Sequence, residues 1–235
     1  MHYKEIKKEL PKHPYTSLSF AAHVCGLITP FLISIAIRLK IRPNTITLFM
    51  IITGVIAGVV LFLPFWWCKI IAGFLYYFWY ALDETDGNVA RITQTFSKGG
   101  KYLDWCAHLL THPLFAVAMW FSFVNMYDFY IITIVSFVLI VFELLGRNWI
   151  SMATLYGDVK NTPYQELKPL GVIRYIFGSF FYMPNDIIFF PFVVGISILF
   201  DWTWFYWFYI CWALYYSAES FRVFIMFIWK MYKSA

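Results

Sequence analysis

The chain has 235 residues, of which 61% are hydrophobic and only 13% charged, with a net charge of +5. Soluble domains carry about 25% charged residues, so the composition excludes an ordinary water-soluble globular protein and points to one polytopic membrane domain. The positive excess does not mark a nucleic-acid binder, because membrane topology accounts for where those charges fall.

Residues 1–16 are polar and basic (Lys4, Lys7, Lys8, Lys12) and lack the apolar core of a signal peptide. Residues 17–40 are apolar but interrupted by His23 and Pro30 and end in basic residues. They read as an interfacial helix lying along the membrane. A membrane span needs about 20 apolar residues, and six candidates follow. The first starts at R-P-N-T-I-T (42–47), with Pro43 in the first turn and Asn44 or Thr45 as the expected cap. It ends near Leu63. The others cover about 67–92, 99–124, 129–150, 184–200 and 203–230. A long polar connection, 151–183, holds Lys160, Lys168 and Arg174. The expected fold is therefore all-α and integral to the membrane: an N-terminal region (1–40) with its interfacial helix, then a six-helix transmembrane domain (41–235).

With the N-terminus in the cytoplasm, every Lys and Arg except Lys69 falls on the cytoplasmic side. The opposite turns are aromatic, at Phe65-Trp66-Trp67, Tyr127 to Tyr130, and Trp202 to Trp204. Tyr and Trp collect at membrane interfaces, which also explains the 23% aromatic content. Both termini are expected in the cytoplasm. The four cysteines (Cys25, Cys68, Cys106, Cys211) form no C-x-x-C pair and read as buried free thiols. Gly54 and Gly58 make a G-x-x-x-G pair, compatible with helix packing or with a homodimer.

Ionisable residues inside a span are costly and mark function by default. The second and third spans carry D-E-T-D-G-N-V-A-R (83–91), eight further residues, then G-K-Y-L-D-W-C-A-H (100–108). Asp83, Asp86, Gly87 and Ala90 share one helical stripe; Gly100, Asp104 and His108 share another. At 1.5 Å per residue, Asp83 lies about 12 Å in from Arg91, and His108 about 12 Å in from Gly100. Antiparallel neighbours thus bring the polar groups to matched depth around a cavity open to the cytoplasm. Gly87 and Ala90 remove bulk beside the carboxylates. Three carboxylates in low dielectric require protonation or a cation. An oxygen-rich wet site suits Mg2+ completed by substrate phosphates, which points to phosphoryl-group chemistry.

This pattern closely resembles the signature of the CDP-alcohol phosphotransferases (phosphatidyltransferases), D-x-x-D-G-x-x-A-R, about eight residues, G-x-x-x-D-x-x-x-D. Asp83, Asp86, Gly87, Ala90, Arg91, Gly100 and Asp104 match in type and spacing. R-P-N-T-I-T and the order of helices also look like the family's. The resemblance implies transfer of a substituted phosphate from a CDP-linked donor to an acceptor alcohol, with release of CMP. It implies that Asp83, Asp86 and Asp104 hold the divalent metal, and that Asp83, Gly87, Ala90, Arg91 and Gly100 form the nucleotide site. His108 stands where the family has its fourth aspartate, a metal ligand and proposed base. Three readings are open. His108 is the catalytic base beside Asp104, since imidazole titrates near 6.5. It is a nitrogen ligand favouring Mn2+ or another softer ion at a second metal position. Or activity has been lost.

His112, one turn deeper, reads as a hydrogen-bonded core residue. Glu143 with Arg147, and Glu219 with Arg222, read as self-neutralising pairs; the functional alternative sets one of these arginines against a substrate phosphate. Lys98, Lys101 and Arg174 follow topology, and Asp186 suits a helix first turn. A rival in another class is a cation- or proton-coupled transporter using the same carboxylates, although neither broken helices nor an inverted repeat support it. An inactive nucleotide-binding relative is a third possibility.

Overall fold

The computed structural model describes residues 5–6, 24–124, 129–155 and 183–234. Among these residues the secondary structure is helical: α1 (Thr29–Arg38), α2 (Pro43–Phe62), α3 (Trp66–Thr93), α4 (Gly100–Val124), α5 (Phe129–Leu155), α6 (Met183–Phe200) and α7 (Trp204–Ser234). The basic stretch 7–16, the first part of the segment 17–40, and residues 125–128 and 156–182 lie outside the described residues. So do the side chains of Glu143, Arg147, Asp186 and Glu219, and with them both expected Glu–Arg pairs. Helix α5 runs to Leu155, five residues beyond the boundary expected from the polar connection.

Among the described residues, two helices are long and apolar enough to cross a membrane, α2 and α4. Helix α2 begins with Pro43 at its first position, where a missing N–H costs nothing. The expected cap is corrected: Arg42 is the N-cap residue, with extended backbone and no side-chain cap bond. Asn44 and Thr45 lie inside the helix, and Asn44 Oδ1 instead accepts a bond from Ser97 Oγ at 3.0 Å. Pro64 forces its predecessor away from helical backbone, and Leu63 is accordingly extended at ψ 139°.

Helix α2 divides into two faces. Ile46, Met50, Gly54, Ala57 and Leu61 of α2 are buried, while Leu48, Phe49, Ile52, Ile56 and Val59 are exposed. An exposed stripe of that size would be a liability in water and is what a lipid-facing helix presents. The buried stripe packs against α3 and α4. Close approach depends on small residues. A Cβ at Gly54 would come 2.8 Å from Trp79 Cδ1, and one at Gly58 would collide with Leu114. Both members of the G-x-x-x-G pair therefore serve packing within the chain.

Helix α3 is the hub, touching α1, α2 and α6. Its side chains hold α1: Tyr77 Oη donates to the Val24 carbonyl at 3.0 Å, and Thr29 Oγ1 donates to Glu84 Oε2 at 2.9 Å. Helices α5 and α7 pack together beside α4, and Phe190 of α6 meets Trp212 and Phe205 at centroid distances of 4.8 and 5.3 Å. The cysteine expectation is half corrected. Cys25 and Cys68 are buried, whereas Cys106 and Cys211 are exposed, all four free. Cys106 lies between exposed Tyr102 and Leu110 on the outer face of α4.

Candidate active site

Asp83 and Asp86 are three residues apart near the end of α3, and Asp104 and His108 four apart near the start of α4. The antiparallel arrangement brings three of these groups together. His108 Nε2 lies 3.5 Å from Asp83 Oδ1 across the helix pair and 3.5 Å from Asp104 Oδ1 within its own helix. One donor atom from each of the three lies within 4.8 Å of the others. Trans ligands of one ion with bonds of about 2.1 Å stand about 4.2 Å apart, so the set fits a small divalent cation after minor side-chain adjustment. The side chains are 47%, 24% and 17% exposed in the order Asp104, Asp83, His108. The cluster thus opens at Asp104 and closes towards His108.

Asp86 stands outside that trio. It is 8% exposed, and its Oδ2 accepts a hydrogen bond from Thr47 Oγ1 at 2.5 Å. Asp83 and Asp104 remain near enough to act on it electrostatically. Thr47 lies in the first turns of α2 and is itself 3% exposed. The two-helix picture expected from the motif is therefore corrected to three helices. A carboxylate on a helix stripe takes whichever partner the neighbouring helix offers, and here α2 offers a hydroxyl.

The rest of the motif organises Arg91. Asn88, 2% exposed, donates from Nδ2 to the Glu84 carbonyl at 2.7 Å and accepts from Arg91 Nη2 at 3.1 Å. A Cβ at Gly87 would come 3.2 Å from Arg91 Nη2. The room made by Gly87, read from sequence as space for a ligand, holds the guanidinium. Arg91 Nε is buried with no partner among the described residues, so the side chain retains donor capacity. Helix α3 stops just beyond it. Gln94 takes left-handed backbone at φ 54°, and the Thr95 N–H closes back on the Ala90 carbonyl at 3.1 Å. A Cβ at Gly100 would sit 3.0 Å from Ser97 Oγ and 3.4 Å from Asn44 Oδ1. Gly100 thus lets the starts of α2 and α4 meet. Lys98 and Lys101 are exposed beside it.

Thr47, Asn88 and His112 did not emerge as site residues from the sequence. His112 is 4% exposed, as a core residue should be, but its hydrogen-bond partner is the site itself: Nε2 lies 3.2 Å from His108 Nδ1. Trp79 packs edge-on against both imidazoles, at centroid distances of 5.3 and 5.7 Å. The available signals were spacing alone: His112 follows His108 by one turn, and Thr47 is the polar position on the buried stripe of α2.

No curated protein sequence matches the chain. The family model for CDP-alcohol phosphatidyltransferase matches residues 40–214, which include α2 to α6, the whole two-part motif and the start of α7. The chain therefore belongs to the CDP-alcohol phosphatidyltransferase family, membrane-integral transferases of lipid synthesis that act on a CDP-alcohol and an alcohol acceptor and typically use a divalent metal.

Proposed function

We propose that this chain transfers a substituted phosphate group from a CDP-linked donor to an acceptor hydroxyl, releasing CMP, in the synthesis of phospholipids or lipid-linked head groups. The observation that carries this is the convergence of Asp83, Asp104 and His108 within 4.8 Å, on two helices that both bear the family motif. Asp83 and Asp104 would hold the divalent ion beside His108, with Asp86, tied to Thr47, as a further ligand from the edge of that cluster, and their oxygen character favours Mg2+. The chemistry such an ion supplies is neutralisation of charge on the diphosphate and on departing CMP. Arg91, held by Asn88 and given room by Gly87, would meet the nucleotide phosphates with its unused donors. Ala90 and Gly100 would shape the nucleotide pocket around them.

In the reaction, a bond forms from the acceptor oxygen to the phosphorus of the transferred group. The bond from that phosphorus to the oxygen retained by CMP breaks. The hydroxyl proton passes to His108 Nε2, an imidazole nitrogen being able to act as a general base. A second reading makes His108 a metal ligand, favoured by the equal 3.5 Å separation of Nε2 from both carboxylates; a nitrogen donor would then tilt preference towards Mn2+. His108→Ala separates them. Lost CMP release with retained metal-dependent donor binding supports the base, whereas loss of both supports the ligand.

The same proposal includes six spans in the domain from residue 41 onward, an N-terminal helix along the bilayer, and both termini and the site facing the cytoplasm. The exclusion of all but Lys69 from the outer side supports it. A homodimer belongs to the proposal as well, through a face other than the occupied Gly54–Gly58 stripe. The experiment is incubation of purified protein with candidate CDP donors and acceptors, following CMP. Donor binding without CMP would identify an inactive relative. Thermal stability indifferent to CDP compounds with Mg2+ would point instead to a transporter.

A further inference from the structure

We infer that Glu84 is a positioning residue: through Thr29 it ties the carboxylate turn of α3 to α1 and so fixes where Asp83 stands; the inference rests on the enzymatic reading above. The motif leaves Glu84 without a role, at a free position between Asp83 and Asp86. Within this one turn each acidic side chain finds its partner on a different helix. Asp83 Oδ1 faces His108 Nε2 of α4 at 3.5 Å, Asp86 Oδ2 takes the Thr47 hydroxyl of α2, and Glu84 Oε2 lies 2.9 Å from Thr29 Oγ1 of α1. Thr29 is 2% exposed. Its hydroxyl is also 3.0 Å from the Cys25 carbonyl, four residues back in the chain, so its place is set from both sides.

These ties resist different movements. Successive residues of an α-helix are turned by about 100°, so Glu84 and Asp86 project about 160° apart, on opposite flanks of α3 with Asp83 between them. A carboxylate stands about 6 Å from the axis of its helix, so a roll of about 10° carries it about 1 Å. A misplacement of that size can cost a reaction about 100-fold. Thr47 opposes the roll on one flank and Thr29 on the other; with one tie gone, α3 can turn about the one that remains. Another tie to α1, from Tyr77 Oη to the Val24 carbonyl at 3.0 Å, lies about 10 Å away along α3. It keeps α1 docked but acts two turns from the carboxylates. The backbone of Glu84 serves the other half of the motif as well: its carbonyl accepts from Asn88 Nδ2 at 2.7 Å, and Asn88 holds Arg91.

The test reads Mn2+ binding by electron paramagnetic resonance on the full chain in lipid nanodiscs, without substrate. Thr29→Val removes the hydroxyl and keeps the Glu84 side chain; it should weaken Mn2+ binding about 10–100-fold, the usual effect of losing a group that orients a ligand, and slow CMP release alongside. Glu84→Gln keeps a side-chain oxygen able to accept from Thr29 and should stay close to wild type. Tyr77→Phe removes the distant tie; it should lower Tm and leave Mn2+ affinity unchanged. Wild-type affinity in Thr29→Val overturns the inference, and with a loss in Glu84→Gln it would mark Glu84 as a charge rather than a tie. Equal losses of affinity in Tyr77→Phe and Thr29→Val also overturn it, because a contact that merely secures α1 would act alike at both places. Should the valine variant not fold, Thr29→Ala, smaller and equally without a hydroxyl, is read by the same criteria. A wild type that binds no Mn2+ removes the site being positioned and the inference with it. Mn2+ binding needs no CDP compound, so failure of every donor to yield CMP would refute the enzymatic reading and leave the comparison of affinities standing.

Discussion

The two ends of α3 both bury charge, and they do so in opposite ways. At the start, Lys69 is 1% exposed; its Nζ donates to the Leu61 carbonyl at the end of α2 and to Ser122 Oγ of α4 at 2.7 Å. At the far end, Asp86 ties to Thr47 of α2, while Asp83 faces His108 of α4. The same three helices are thus stitched at both ends by polar groups of α3. The Lys69 end is complete: a cation satisfies an orphan carbonyl at a helix C-terminus, where positive charge is favoured. The aspartate end gathers like charges that repel one another in low dielectric, a cost that stability alone does not justify. One buried charge with its partners in the fold reads as structure. Several of one sign, gathered on neighbouring helices and opening towards water, read as function.

That contrast can be broken by substitution. The largest effect should come from Asp83→Asn, an isosteric change that removes one negative ligand. CMP release should fall about a thousandfold, corresponding to the several kcal/mol of charge stabilisation a metal supplies. Tm should hold or rise, because a repulsion has been relieved. Near-normal turnover would sink the metal assignment. Stripping divalent ions with EDTA should likewise stop CMP release, and adding back Mg2+ should restore it; activity that survives exhaustive chelation would place the carboxylates in another role. Thr47→Val should come next, with turnover lowered about 10–100-fold, the usual effect of losing a partner that orients a ligand. Unchanged kinetics would show that Asp86 needs no third helix.

At the other end the signs reverse. Lys69→Met should leave kcat and KM near wild type but lower Tm, since Leu61 and Ser122 lose their buried ammonium partner, a loss worth about 1–3 kcal/mol. A loss of turnover without loss of Tm would contradict the structural role. Gly54→Ala should destabilise to a similar extent, about 1–3 kcal/mol, through overpacking against Thr111 and Trp79, read by thermal unfolding in detergent. A neutral result would mean that the close approach there is looser than 2.8 Å implies.

Much of the site was legible because its residues are close in sequence. Asp83, Asp86, Asp104 and His108 lie on two helices joined by a short turn, so periodicity and depth alone bring them near one another. Thr47 was not legible in that way, lying 39 positions from its partner Asp86. Its hydroxyl resembles any other on an apolar helix, and only the packing of α2 against α3 gives it a carboxylate. The Gly54–Gly58 pair equally suited contact within the chain or between two chains, until Trp79 and Leu114 were found in that space. The cysteines failed for a related reason: hydropathy cannot separate a side chain facing protein from one facing lipid.

From residue types and spacing came the helices, the membrane setting, the family and the residues proposed for the site, because hydrophobic periodicity and a local motif are properties of neighbouring positions. Tertiary structure alone decided that Asp86 belongs to Thr47, that Gly87 shelters Arg91, and that His112 meets His108 at 3.2 Å as well as filling the core. Those outcomes depend on which face each helix turns towards the next, and a helix with apolar residues on every side leaves that rotation open until its neighbours are in place.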